Sequence, residues 1–489
     1  MSKSIVVIFV ILLTACSVRA QDEVEHLSPF AHGAGRTYAI TSRGLDAVGL
    51  NPSLLAFGTP QPFEITLAPI SSLGINAGPS LAQINSISHG FQGKGLSSDS
   101  LSKSPDSLQV GDSTRLSIAN LLSNNGLSSS IDMRVFGMSY FDPDLGAFAL
   151  TWTMHAALQA SIPNELLDYI GVGAVSKMAE GYTLSPQTLD IQALWYSEYT
   201  LSYARTLFGK PSSGDLQLLS GVGIKYVSGI AVLQMNPGVF SINSPPSPLG
   251  AHYVVGVNYQ IRSAYPSEIN FNNLPSTFSL NLIENATAGN GLGADVGFTL
   301  GAFDSTHNAP WELAVSITDI GSIRWNSNAN VRSADTTVSP SSQNISQDSI
   351  NAQLKALSGK VDTNAGSFTT PLPTTLHIAG AIDLAEIGLR MDGLAFGAVA
   401  EYALGLTNTV GSPTNGRFGF ALTLEHPSTS LALHAALGMT MQDGTNDLTL
   451  AFGIGLWNSI LIDVGTDGLI GLFSSNGHTD AVFGLKVLF

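Results

Sequence analysis

Alternation runs through most of this chain. In "GAFALTWTMH", Phe148, Leu150, Trp152 and Met154 fall on one face and Ala147, Ala149, Thr151, Thr153 and His155 on the other, which is the two-residue period of a β-strand. "PWELAVSIT" sets Trp311, Leu313, Val315 and Ile317 against Glu312, Ala314, Ser316 and Thr318. "TLHIAGAIDL" sets Leu376, Ile378, Ile382 and Leu384 against His377, Ala379, Ala381 and Asp383. "DLTLAFGIGLW" sets Leu448, Leu450, Phe452, Ile454 and Leu456 against Thr449, Ala451, Gly453 and Gly455.

The second face decides what the first one meets. The solvent face of a soluble sandwich carries Lys, Glu, Arg and Gln. Here it is mostly Ala, Gly, Ser and Thr with an occasional charge. Small residues inside and bulky apolar ones outside suit a closed barrel in lipid, where every backbone group pairs and no edge is left. A soluble solenoid or sandwich is the competing reading. Strands are predicted at 63–77, 131–141, 145–161, 189–208, 215–232, 251–263, 291–304, 310–325, 374–387, 393–406, 416–426, 429–442, 447–457, 459–473 and 479–489. Single-chain bacterial barrels use an even number, so one segment is miscounted; 235–243, "MNPGVFSIN", is a candidate omission. The expected fold is all-β: a transmembrane antiparallel barrel of about 14 strands, range about 14–16, with an N-terminal hatch or plug segment in its lumen. The domain reading is 1–20 signal peptide, 21–60 hatch segment and 61–489 barrel.

The connections are of two kinds. "DPDLG" (142–146) and "QDGTND" (442–447) read as tight turns, and neither has the ligand spacing of a calcium loop. The stretches 81–130 and 327–372 are rich in Ser, Asn, Gly and Asp and read as long outer loops. "PNELLDYIG" (163–171) and "QDSINAQLKALSG" (347–359) have the pattern of short amphipathic helices over the barrel mouth.

Composition agrees with a membrane protein. Only 11% of the 489 residues are charged and 44% are hydrophobic, against about a quarter charged in an average soluble domain. The net charge of -16 and the lack of any basic stripe argue against nucleic acid. The run after Lys3, "IVVIFVILLTA", fits the apolar part of an export signal. Two cleavage points compete: after Ala20, which "VRA" favours, or before Cys16, where "LTAC" resembles a lipobox and Cys16 would carry lipid. Cys16 is the only cysteine, so no disulfide braces the fold. Beyond the signal no run of about 18 apolar residues occurs, and a membrane role falls to the strands. The chain ends "DAVFGLKVLF", with Phe483, Leu485, Val487 and Phe489 alternating up to a terminal aromatic. That ending resembles the signal by which bacterial outer-membrane barrels are recognised by their assembly machinery.

One stretch fits no strand. "AHGAGRTYAITSRGLDAVGLNPSLLAFG", Ala31 to Gly58, resembles the N-terminal hatch of the FadL-type superfamily of outer-membrane transporters for long-chain fatty acids and aromatic hydrocarbons. That superfamily has a Gly-rich start, a small-residue and Asp stretch, then Asn-Pro-Ala; here the triplet is Asn51-Pro52-Ser53. "SITDIGSIRWN" (316–326) looks like a strand end in a less characterised branch that includes PorV-like proteins of secretion systems. The resemblance implies a plug carried by Gly33, Gly35, Arg36, Gly44, Asp46, Asn51 and Pro52. A ring of about fourteen strands is too wide for side chains to fill, so such a segment closes what is otherwise an aqueous pore. Merely steadying the barrel is the competing role. The resemblance also implies passive movement of a lipophilic ligand from the outer loops into the barrel and out sideways through a kink in the wall.

On the small-residue face, His155, Lys225, Glu312, Arg324, His377, Asp383, Glu401, Arg417, Glu425 and His434 are the charges to examine. Pairing that braces the wall is the ordinary reading. Arg324, His377 and Arg417 are the candidate ligand contacts, either arginine suiting a carboxylate. No G-x-S-x-G, H-E-x-x-H or phosphate-loop motif is present, and "GLGADVG" (291–297) lies in an alternating strand with no helix to follow. No enzyme activity, cofactor or metal is expected. Two functions remain: a conduit or binder for hydrophobic small molecules, or a PorV-like accessory of protein secretion or surface assembly. The expected surroundings are outer-membrane lipid, the barrel assembly machinery, and a lipophilic ligand or secretion-system proteins.

Overall fold

The computed structural model describes residues 27–57, 61–77, 127–161, 182–209, 215–244, 254–266, 287–303, 309–338, 360–362, 366–384, 393–426, 428, 430–442, 445–468 and 479–489. The signal peptide, Cys16 and the two amphipathic segments at 163–171 and 347–359 lie outside these residues, as does most of 81–130.

The alternating segments form an antiparallel wall. β1 (Phe63–Ala77) pairs with β2 (Leu127–Asp142), followed by β3 (Gly146–Ser161), β4 (Tyr182–Phe208) and β5 (Leu216–Ser244). The first half of β5 pairs with β7 (Gly289–Ala302), β7 with β8 (Trp311–Trp325), and the first part of β8 with β12 (Thr375–Asp383). Next come β13 (Ala395–Gly405), β14 (Arg417–His426), β15 (Leu431–Gln442), β16 (Thr445–Leu456), β17 (Ile460–Asp467) and β18 (Thr479–Leu488). β18 pairs back onto β1, so 14 strands close a ring without an edge. This is the fold class and strand number expected.

Four more strands extend one side of the wall. β6 (Val254–Ala264) pairs with the far half of β5, β9 (Asn330–Val338) with β6, and β10 (Lys360–Asp362) with β9; β11 (Phe368–Pro371) pairs with the far end of β8. Three expectations change accordingly. The segment predicted at 251–263 is β6 and stands outside the ring, and 235–243 is the continuation of β5. The stretch 327–372, read as loop, contains β9, β10 and β11. Its polar residues alternate too weakly to announce strands that lie beyond the apolar belt.

Turn chemistry is local and legible. Asp142 Oδ1 accepts the N–H groups of Asp144 and Leu145 at 2.8 and 2.9 Å, and Gly146 takes φ 98°, which closes β2 on β3 in three residues. β16 and β17 are joined equally tightly through 457–459 at the same end of the barrel, where β1 begins and β18 finishes. "QDGTND" connects β15 to β16 at the opposite end.

The faces are as patterned. Outward side chains are apolar and exposed: Ile224 65%, Leu292 70% and Leu437 52%. Inward ones, among them Ala147, Ala149, Thr151, Ala421, Ala436, Thr449 and Ala451, are buried. A closed ring with this exterior is a membrane-spanning barrel. Phe483, Leu485, Val487 and Phe489 lie on its outer face in and just beyond β18, and Phe63 and Phe489 exchange backbone hydrogen bonds of 3.1 and 2.9 Å where the ring closes.

Candidate functional site

Residues 27–57 occupy the lumen. They form two short helices, α1 (Pro29–Gly33) and α2 (Tyr38–Thr41), and two 3-10 turns, Gly44–Ala47 and Pro52–Phe57. α1 packs on β15 to β18, α2 on β8, β12 and β13, the first 3-10 turn on β2 and the second on β3, β4, β5 and β7. Contact with wall strands on every side places the segment inside the ring.

Glycines on both partners make this approach possible. A Cβ on Gly33 would overlap the Leu450 carbonyl, one on Gly419 the Gly35 carbonyl, one on Gly465 the Pro29 carbonyl and one on Gly221 the Pro52 carbonyl. Segment backbone thus lies directly on wall backbone. Gly35, Gly44 and Gly49 also take positive φ, and so does Arg36 at 53°, a conformation that costs a non-glycine residue energy.

Charges, together with a small apolar cluster of Ala34, Ala39 and Ile40 on wall alanines and Val399, fix the first half. Arg36 binds Asp467 (Nε to Oδ2, 2.6 Å) and Asp480, and His32 bridges Asp480 Oδ1 (2.8 Å) and the Tyr38 hydroxyl (2.7 Å). From the wall, Arg417 donates to the Arg36 carbonyl at 2.7 Å, while Glu401 Oε2 accepts the Ala39 N–H at 2.7 Å. The other oxygen of Glu401 meets His377 Nδ1 at 2.8 Å and Arg417 at 3.4 Å. Arg43, one-third exposed, reaches Glu312 at 3.1 Å and lies over the Phe57 ring. An open vestibule of about 440 Å³ at the short-turn end is lined by Phe30, Arg43, Glu312, Glu425 and His434.

The second half has the larger apolar cluster. Leu45, Leu54, Leu55 and Phe57 join Ala147, Ala204, Leu219 and Phe303 in one apolar cluster, the Phe57 and Phe303 rings meeting edge-on at 4.7 Å. Asp46 binds Arg134 (3.0 Å) and Lys486 (2.6 Å) alongside, and Glu64 accepts the Leu45 N–H at 2.9 Å. In the Asn-Pro-Ser triplet, Asn51 Oδ1 accepts from the Ser53 N–H and hydroxyl at 3.2 and 2.7 Å, and its amide donates to the Ala39 carbonyl and Thr299. Pro52 starts the 3-10 turn, where a missing N–H costs nothing. Ser53, standing where the FadL-type pattern has Ala, adds a 2.7 Å contact with Thr299.

Beyond the segment lies a polar layer. Lys225 Nζ stands 2.7 Å from Asp319, 3.0 Å from Asp295 and 3.4 Å from Glu198, so its three donors are engaged. Asp319 has φ 55°, and β8 changes partner there: β12 pairs as far as Thr318 and β11 from Ser322. The space left in this layer is about 30 Å³, room for a water and not for an organic ligand. Beyond it Trp325, Ile323, Leu194, Val232, Leu372 and Val410 form one buried apolar cluster, with Trp325 donating to Thr370 at 2.8 Å.

The seven segment residues named from sequence are thus brought together in the lumen, Gly33, Gly35 and Arg36 against the β14–β18 wall, Gly44 and Asp46 in the first 3-10 turn against β2 with Asp46 also on β18, and Asn51 and Pro52 against β5 and β7. The three candidate ligand contacts are placed otherwise. His377 and Arg417 are fully buried on Glu401, facing the segment. Arg324 is exposed and donates to Ser367, because the left-handed backbone at Asp319 inverts the parity of the rest of β8 and brings Ile323 and Trp325 inside instead. Residues not singled out include Asp467, Asp480, Glu64, Arg134, Lys486, Asp295 and Asp319. Their only sequence signal is a charge at an inward position of an otherwise small-residue face.

A model of a family of unknown function (DUF5723) matches residues 56–458. No curated protein matches the chain. Among solved structures it is similar to the Ralstonia pickettii toluene transporter TbuX (10% identity, 95% of this chain and 99% of that one, TM-score 0.41). It is also similar to a Pseudomonas aeruginosa FadL homologue (12%, 97% and 99%, TM-score 0.43) and to the CymD monoaromatic hydrocarbon channel (10%, 96% and 99%, TM-score 0.40).

Proposed function

The chain belongs to this family of unknown function, and on that footing we propose that it is an outer-membrane barrel acting as a gated, passive conduit or binder for hydrophobic small molecules. The observation that carries the reading is the uneven attachment of residues 27–57. Both halves pack apolar side chains on the wall, 44–57 through Leu45, Leu54, Leu55 and Phe57 and 29–43 through the smaller Ala34, Ala39 and Ile40, but 29–43 alone sets basic side chains, His32, Arg36 and the part-exposed Arg43, against wall carboxylates. Buried pairs specify a position but stabilise it little beyond their desolvation cost. The first half is therefore the part that moves, swinging toward the vestibule while the second half stays. Residues 27–57 in the lumen favour this reading over a standing water pore. Uptake is driven by the partitioning of apolar surface.

Deletion of residues 31–58 tests this. Planar bilayers should show a large steady conductance for the deletion and brief or no openings for the full chain; unchanged conductance overturns the gate. Mass spectrometry of protein extracted gently from native outer membranes should find a stoichiometric hydrophobic ligand.

A further inference from the structure

We propose that the outer wall carries a binding groove for one acyl chain of a bilayer lipid, at the point where the barrel gives way to its extension. The groove has a local cause. β7 pairs with β5 up to Gly229, β6 takes over from Val232, and between them the register with β4 slips at Trp195/Tyr196, leaving Ile230 as an extra, buried residue. A bulge of this kind bends its strand.

Across the bend, outward positions are small: Ala156 opposite Trp195, Trp195 opposite Ala231, and Leu158 opposite Ala193. Alanines leave the floor at backbone level, and Ile131, Leu158, Trp195 and Leu233 stand up as walls. The result is an apolar groove of about 500 Å³, several times the roughly 150 Å³ that suffices for benzene. Its floor is solid. The inward residues beneath it, Leu194, Val232 and Ala264, are packed into the cluster around Trp325, so the groove does not open into the lumen.

Position selects the occupant. Two aromatic rows cross the same wall below it: Phe63, Tyr140, Phe148 and Tyr203 at the short-turn end, then Trp152, Tyr199 and Tyr226. The first row marks one membrane interface. Trp195 lies eight positions along β4 from Tyr203, about 26 Å of strand and about 20 Å of height at the usual tilt. That sets the groove near the other interface, continuous with the exposed belt of Leu150, Leu201 and Ile224. A lipid there can lay its chain along the alanines with its polar end toward Ser263 and Tyr265, which border the groove.

Native mass spectrometry of the full chain during stepwise delipidation tests the proposal. One phospholipid should persist after the bulk lipid is gone, and Ala193→Trp, which fills the groove, should lower that retention at least tenfold. Ala435→Trp on the opposite wall should leave it unchanged. Equal loss in both variants, or none in either, overturns the groove. So does a retained hydrocarbon other than a lipid that Ala193→Trp displaces. If Ala193→Trp does not fold, the wild type suffices: a phospholipid brominated in its chain should quench fluorescence that Trp195→Phe removes, and the quenching should survive dilution into unbrominated detergent. Immediate full recovery counts against the site.

Discussion

Replacing Gly419 by Ala should loosen the lumen segment without unfolding the barrel. The added Cβ overlaps the Gly35 carbonyl oxygen and stands 3.0 Å from its carbon, whereas relaxed carbon–oxygen contacts sit at about 3.3–3.6 Å. Gly35 must retreat by roughly 1 Å or more, and β14 cannot yield, because Arg417 to His426 is laddered to β13 and β15 along its length. The retreat strains the 3.0 Å bond from the Gly35 N–H to Thr449 and the 2.7 Å bond from Arg417 to the Arg36 carbonyl. Overpacking costs about 1–3 kcal/mol, and each hydrogen bond lost adds about 0.5–1.5 kcal/mol. None of this falls on the wall ladder, so it is taken from the docking of 29–43. A loss of 1–3 kcal/mol raises the undocked fraction about 5- to 150-fold. Gly465→Ala should act alike, its Cβ overlapping the Pro29 carbonyl 2.8 Å from the Gly33 nitrogen.

The assay is open time in single-channel traces, with Gly380→Ala as control. That Cβ points outward and comes no closer than 3.4 Å to Leu313, an ordinary contact. Openings should lengthen for Gly419→Ala and Gly465→Ala and stay at the wild-type level for Gly380→Ala. If all three behave alike, or if none departs from wild type, backbone contact with wall glycines is not what holds the segment.

Other consequences follow from the same geometry. Glu401→Ala strips a carboxylate from buried Arg417 and His377 and the acceptor from the Ala39 N–H; it should cost about 3–5 kcal/mol in urea unfolding from detergent, with Arg417→Met in that background restoring part. Trp325→Ala, at a fully buried position bonded to Thr370, should lose about 3–5 kcal/mol by the same measurement. Leu437→Arg puts a charge on the exposed lipid face of β15 and should lower stability in lipid by about 2–4 kcal/mol, with a much smaller change for Thr440→Arg nearer the strand end only if that inward position were open; since Thr440 is buried on Asp467, Thr440→Arg should instead displace Arg36 and lengthen channel openings.

The barrel was legible because lipid and lumen impose opposite demands on successive residues, and a period of two survives in "PWELAVSIT" or "DLTLAFGIGLW" without knowledge of any partner strand. What escaped depends on distance or on a single backbone angle. Asp467 ends β17 just before Gly468, which takes φ 78°. Yet the Asp467 carboxylate also binds Arg36, more than four hundred residues away, a pairing that exists only once residues 29–43 lie in the lumen beside β17. Asp319 is the harder case. Nothing in "SITDIGSIRWN" announces a left-handed aspartate, but that one φ reverses which residues of β8 face the lumen, putting Trp325 inside and Arg324 outside. The conformation is held by tertiary contacts: Lys225 on its side chain at 2.7 Å, Asp295 accepting its N–H at 2.8 Å, and Thr374 donating to its carbonyl at 2.7 Å. Strain of this kind persists only where the surroundings overdetermine it, so the parity of a strand is a local property up to the residue at which its neighbours, and not its own sequence, set the backbone.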